Sequence, residues 1–193
     1  MRNNIRLKGY AFHLRPAELA DAAFILQLRT DPDLAKYLNP TSDRLEDQEA
    51  WMLRYFDRPN DYYWVVERSR REQPEGAVAI YDVDPTRRQA EWGRWILRKG
   101  SLAAVETALL IYRAAFERLR LQRIYCRTIS ANRSVVSFHN SCGLRTSLDR
   151  QLKVDLRGTE YDVVEQYLTA DLWPQVKRSL DERACAVARL LSR

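Results

Sequence analysis

Between residues 105 and 119 the apolar positions Val105, Leu109, Tyr112, Phe116 and Leu119 fall at steps of four, three, four and three. That spacing lays one stripe along a helix and predicts an amphipathic α-helix ending near Arg120. A second stripe, Trp173, Val176, Leu180, Ala184, Val187 and Leu191, predicts a C-terminal helix beginning around Pro174. Its apolar face packs either on the sheet or on a second subunit, so a homodimer is one arrangement the pattern allows. Ala20, Phe24 and Leu28 recur at helical spacing after Pro16, which is read as the start of that helix. That helix is expected to end by Asp31-Pro32, because the residue before a proline avoids helical dihedrals. Asp43 with Glu46 three residues on has the form of a capping box, opening a second helix through Trp51 and Phe56.

Strands are read from the aromatic and β-branched runs. Residues 10–15 form a first strand, and Tyr62–Glu67, Gly76–Val83 and Ala90–Leu97 form an antiparallel meander. Arg123–Ile129 follows the long helix. Asn132 then caps a short helix through His139, which Cys142-Gly143 stops, and a closing hairpin turns at Arg157-Gly158. The order gives a mixed α/β (α+β) domain with one central sheet and an added C-terminal helix over residues 172–193. Without repeats or a linker-like tract, residues 1–193 are read as a single domain.

Composition narrows the function classes. An apolar fraction of 46% beside 30% charged residues is that of a folded globular chain. A net charge of +6 favours anionic ligands without requiring nucleic acid. The basic residues of the last helix, Lys177, Arg178, Arg183, Arg189 and Arg193, stand among Asp181 and Glu182, as on a solvated face. Cys126, Cys142 and Cys185 cannot all pair within one chain and lack zinc-ligand spacing. Reduced thiols, a start without the apolar core of a signal peptide, and no run of ~20 apolar residues predict a cytoplasmic protein without a membrane span.

No G-x-S-x-G, H-E-x-x-H, Walker or G-x-G-x-x-G pattern occurs. His13 and His139 have no clustered carboxylates beside them, so no metal is expected. What remains is the strand-to-helix junction Trp95–Ala104. Free amides at a helix start, with Arg98 and Lys99 beside them, make a phosphate site, although an ordinary basic loop has the same local pattern.

Ala90-Glu-Trp-Gly93, the turn Lys99-Gly-Ser101 with the helix after it, and Ser130–Leu144 resemble the GNAT superfamily of acyl-CoA-dependent N-acetyltransferases. Phe138-His139 and Lys36-Tyr-Leu-Asn-Pro-Thr-Ser42 are similar to GNAT proteins of bacterial surface-polysaccharide gene clusters, which acetylate amino groups of nucleotide-linked sugars. The resemblance implies the GNAT fold, a central, mostly antiparallel mixed sheet flanked by helices. It also implies acetyl-CoA as co-substrate and a small-molecule primary amine as acceptor. Other readings are a protein N-terminus or another amine as acceptor, or acyl-CoA binding without turnover.

On this resemblance the pyrophosphate lies on the turn of Arg98, Lys99, Gly100, Ser101, Leu102, Ala103 and Ala104. Arg98, Lys99 or Arg133 then replaces an arginine that the family's turn carries and this one lacks. The pantetheine arm runs along Ile96 and Leu97. Gly93 marks either a bulge that opens the sheet or a close approach of Trp92 or Trp95. Glu91 is the implied base, or else a partner of Arg127. Asn132 binds cofactor, caps its helix, or does both, and Phe138 is placed with it among the cofactor-binding residues. Phe138 stands where the family has an acidic tyrosine, so the thiolate leaves unassisted or His139 takes part. Cys142, three residues from His139, allows a covalent route. Tyr37, Asn39 and Ser42 border the acceptor pocket.

Overall fold

The computed structural model describes residues 3–148 and 152–192, so Met1, Arg2, residues 149–151 and Arg193 lie outside the described residues. Its strands are β1 (Leu7–Lys8), β2 (Phe12–Pro16), β3 (Tyr62–Arg68), β4 (Gln73–Asp84), β5 (Gln89–Leu97), β6 (Arg123–Ile129), β7 (Arg145–Thr146), β8 (Leu152–Leu156) and β9 (Thr159–Thr169). The helices are α1 (Ala22–Thr30), α2 (Leu45–Phe56), α3 (Ala104–Arg113), α4 (Arg133–Ser141) and α5 (Trp173–Leu191). One sheet runs β1-β2-β3-β4-β5-β6-β9-β7, with β8 also on β9. Every pairing is antiparallel except β5 with β6. That is the mixed, mostly antiparallel α/β architecture expected.

Alternation along the meander divides the core in two. Trp64, Val66, Val78, Ile80 and Trp92 face the long helix α3 with Leu109, Leu110 and Tyr112. Tyr63, Val65, Ala77 and Ala79 face the opposite way, toward Ile25 and Leu28 of α1 and Met52 and Tyr55 of α2. Large residues fill the first face, and alanines line part of the second.

The C-terminal stripe packs on the chain's own α3. Trp173, Leu180 and Ala184 are buried in the larger core, and the Trp173 indole donates to Glu117 at 3.1 Å. Lys177 pairs with Glu117 at 2.8 Å and Arg183 donates to the Ser141 carbonyl at 2.7 Å, so part of this helix's positive charge is used internally. The long helix ends in a wide π turn, Ala114–Arg118, before Arg120 takes left-handed backbone (φ 56°). The β8–β9 turn falls at Arg157-Gly158, both with positive φ, as a two-residue hairpin needs.

Three local expectations are corrected. Pro16 ends β2 instead of opening a helix, and a short 3₁₀ turn, Leu19–Asp21, leads into α1. Asp43 does not cap α2. Its N-cap is Arg44, and the loop before it closes through Ser42, whose hydroxyl donates to Asp47 at 2.6 Å and accepts from the Arg44 amide at 3.2 Å. The first strand divides into β1 and β2, joined by a turn whose Tyr10 and Ala11 amides are held by the buried Glu106 carboxylate of α3.

Candidate active site

The site grows out of the parallel seam. β5 and β6 pair only at Gln89–Arg123, Ala90–Ile124 and Glu91–Tyr125. Beyond Glu91, β5 stays with β4 as far as Leu97 while β6 stays with β9 as far as Ile129, so the two strands part. A cavity of about 1060 Å³ fills the gap. Its walls include Glu91 and Trp92–Leu97 of β5, Cys126–Ile129 of β6, Asn132, Val135 and His139 from α4, and residues of β8. Arg29 of α1, the 34–41 loop with Tyr37 and Asn39, and Gln48 and Trp51 of α2 close another side.

A bulge sits on this stretch of β5. Ala79 pairs with Gly93 and Ala77 with Ile96, so Arg94 and Trp95 together oppose Val78. The left-handed residue is Arg94 (φ 47°), not the glycine. A non-glycine residue there is strained and needs support. Asp61 accepts from the guanidinium at 3.1 and 3.3 Å, and the rings of Tyr81, Tyr55 and Trp51 lie 4.4, 5.0 and 5.6 Å from it. Gly93 serves a close approach to a different partner from the tryptophans expected: a Cβ there would stand 2.6 Å from the Tyr81 hydroxyl.

That hydroxyl matters because it donates to Glu91 Oε1 at 3.0 Å, while Arg127 reaches Oε2 at 3.1 Å. The Glu91 ion pair with Arg127 is therefore present, and Arg127 also holds Glu165 at 3.2 Å. Burial pushes the Glu91 carboxyl above its ordinary range, against the lowering effects of Tyr81 and Arg127. A carboxylate kept basic at the apex of the gap is suited to accept a proton.

His139 lines the same cavity inside an aromatic box: its ring centroid lies 4.9 Å from Trp92 and 5.7 Å from Trp95. Only 3% of it is exposed, and burial lowers its pKa to about 4, so near neutrality it is an uncharged ring. Phe138 does not line the cavity and leans on Trp95 at 5.0 Å. Cys142 is buried outside the cavity, and its thiol is pushed up by burial, which removes the geometry a cysteine–histidine nucleophile needs.

The 98–104 turn continues from the Leu97 wall. Gly100 has φ 77° with open space around it, and Ser101 Oγ accepts from the Ala103 amide at 3.2 Å. Among the described residues, no protein group accepts from the amides of Ala104, Val105 and Glu106, the first three of α3. Lys99 is spoken for by Asp31 at 3.2 Å and Asp33 at 2.7 Å. Asn132 lines the cavity and is the N-cap of α4, but its side chain accepts from Ser134 Oγ at 3.1 Å and caps no helical amide. Tyr37 and Asn39 border the cavity, and Ser42 does not. The parts that sequence reasoning missed are the Arg94–Asp61 clamp, Tyr81, Arg29 and the β8 wall. Pairing across the fold carries them, and no local spacing does.

Residues 12–145 match the family described as acetyltransferase (GNAT) domain. The chain belongs to the GNAT acetyltransferase family. It is an acetyl-CoA-dependent N-acetyltransferase by that membership. The apo structure titled "FdhC, a nucleotide-linked sugar GNAT" is 28% identical with TM-score 0.76, over 92% of this chain and 97% of that one. Spermidine N-acetyltransferase from Vibrio cholerae, in complex with CoA and spermine, is 20% identical with TM-score 0.75, over 83% of this chain and 96% of that one. A GCN5-related N-acetyltransferase from Brucella melitensis superposes with TM-score 0.83 at 16% identity, over 94% of this chain and 86% of that one. The last two, at such identity, bear on the fold alone. No curated protein matches the sequence.

Proposed function

We propose that this GNAT enzyme acetylates a primary amine on a nucleotide-linked amino sugar. The observation that carries this reading is the charge of the cavity. Arg29, Arg58, Arg94, Arg127 and Lys153 line it with Glu91, and although Arg94, Arg127 and Lys153 have carboxylate partners, Arg29 and Arg58 have none among the described residues. Such a wall repels a polyamine and attracts an acceptor bearing a diphosphate. The structural neighbour described as a nucleotide-linked sugar GNAT supports the same choice. Free Cys126, Cys142 and Cys185 fit a reducing, cytoplasmic setting for such an enzyme.

The residues present fit acetyl-CoA. The unaccepted amides of Ala104, Val105 and Glu106, at the positive end of α3, would hold its pyrophosphate, with Arg98 and the Gly100–Ala103 turn around it. The unpaired edge of β5 at Ile96 and Leu97 would take its pantetheine arm, with Asn132 facing it across the gap. Bound there, acetyl-CoA supplies a thioester carbonyl to the attacking nitrogen.

Glu91 takes the proton from the substrate ammonium, directly or through water, and frees the nitrogen lone pair. Tyr81 and Arg127 fix the carboxylate during that step. As the new C–N bond forms and the C–S bond breaks, the nitrogen loses its second proton to solvent, and the CoA thiolate leaves and takes one up from solvent. We assign no acid role to His139, since a ring with pKa about 4 is uncharged at neutral pH and its remaining N–H is too weak an acid to protonate the thiolate. Tyr37 and Asn39 border the acceptor end.

The test is release of free CoA on mixing the protein with acetyl-CoA and either nucleotide-linked amino sugars or spermidine. Turnover with a nucleotide-linked amino sugar and none with spermidine is expected. The reverse preference would replace this reading with a polyamine one.

A further inference from the structure

Within the cavity the cations differ in what they already hold. Arg94 is paired with Asp61, Arg127 with Glu91 and Glu165, and Lys153 with Glu160. Arg29 has no carboxylate partner among the described residues. Its Nε donates to Thr41 Oγ1 at 2.9 Å and one terminal nitrogen donates to the Asn39 carbonyl at 3.3 Å, both neutral acceptors. It is half-buried, and that burial, helped by nearby Arg94, pushes its pKa below the ordinary arginine value. A desolvated guanidinium with neutral partners is costly to keep.

A second, independent feature stands on the same wall. Gln48 of α2 is 4% exposed, and its Nε2 finds no acceptor among the described residues. Arg58, just past the end of α2, also lines the cavity and has no ion pair among the described residues. The Gln48 amide without an acceptor and the two guanidiniums without a carboxylate, one half-buried and one exposed, are all donors, contributed by α1, α2 and the turn after it. Unmet donors around a fork-shaped cation match the several acceptor oxygens of a phosphoryl group.

We infer that Arg29, Gln48 and Arg58 form a subsite for the diphosphate of the acceptor, separate from the amides at the start of α3. The inference rests on the nucleotide-linked acceptor reading above and deepens it. It places the amine end of the acceptor toward Glu91 and the anionic end under the helices α1 and α2. It makes Arg29 a specificity residue for phosphorylated over unphosphorylated amines.

The experiment titrates uridine diphosphate and inorganic pyrophosphate into the protein saturated with CoA, so that the cofactor's own phosphate site is filled. Wild type, Arg29→Met, Arg29→Lys and Arg58→Ala are compared by calorimetry. Saturable binding is expected in wild type, weakened at least about tenfold in Arg29→Met and less in Arg29→Lys and Arg58→Ala, with CoA affinity unchanged. Arg58 is exposed, so its variant tests the subsite even where Arg29→Met loosens the 39–41 loop. Binding unaffected by all three changes, or no binding of either anion to wild type, overturns the subsite. Acetylation of nucleotide-linked amino sugars with an unchanged KM in Arg29→Met leaves the acceptor reading standing and removes the subsite. Anion binding that depends on Arg29, without acetylation of any such sugar, supports the subsite and removes the acceptor reading.

Discussion

The two faces of the sheet are built by the same strands from opposite materials. Under α3 and α5, alternate positions of β3, β4 and β5 carry Trp64, Val78, Ile80 and Trp92, closed by Leu109, Leu110 and Tyr112, all buried. Under α1 and α2, the positions between them carry Ala77, Ala79 and Gly93, and the space so left is shared with Arg94, Asp61, Tyr81 and Glu91. One face excludes water and holds the fold. The other gives up packing to hold charged groups in fixed places, which is what a site for proton transfer and anion binding requires. The parted seam is where the two meet, since Trp92 belongs to the dry face and Glu91 beside it to the wet one.

The contrast breaks if the faces do not separate activity from stability. Glu91→Gln on the wet face should lower kcat by about 10²- to 10⁴-fold, the range for loss of a general base, with little change in melting temperature. Steady-state kinetics beside a thermal melt checks both. Leu109→Ala on the dry face should do the opposite, costing about 2–5 kcal/mol of stability by denaturant unfolding while the surviving folded enzyme keeps its KM values.

His139 sits on the boundary and sharpens the comparison through pH. Its folded pKa of about 4 lies below the unfolded value of 6.5, so the unfolded chain binds more protons between these limits. Its contribution is present above pH 6.5 and lost as pH falls toward 4. The full window amounts to about 3 kcal/mol at 1.36 kcal/mol per unit. His139→Leu should flatten the fall in stability between neutral and acid pH, measured by melts across that range. A wild-type slope retained in the variant would place the titration elsewhere.

The smallest effect concerns Gly93→Ala. Its Cβ would displace the Tyr81 hydroxyl and remove its bond to Glu91. Loss of that lowering influence moves the acid limb of the kcat/KM profile to higher pH. The rate at neutral pH should fall roughly tenfold, as for one hydrogen bond to a charged group.

Much of the dry face was legible in the sequence, because a stripe such as Val105–Leu119 states its own period. So were the β-meander, the Arg157-Gly158 turn and Glu91 on its strand. The wet face was read less well. The positive φ of Arg94 follows from support by Asp61 and three rings drawn from α2, β4 and the loop before β3, and no local pattern announces it. Ser42 looked like a pocket residue because it lies in the right loop, yet its hydroxyl is taken by Asp47. Lys99 looked free to meet phosphate until the end of α1 brought Asp31 and Asp33 against it. Arg29 drew no notice, since one arginine at the end of a helix is commonplace until its surroundings are seen to lack a carboxylate.

Acetyl-CoA is proposed to enter where β5 and β6 part, with Glu91 at the apex. A crystal structure of the protein with CoA tests it most directly. The pantetheine arm is expected along Ile96 and Leu97 and the pyrophosphate on the amides of Ala104, Val105 and Glu106. CoA bound with its sulfur away from Glu91, or outside the gap between the two strands, would contradict it.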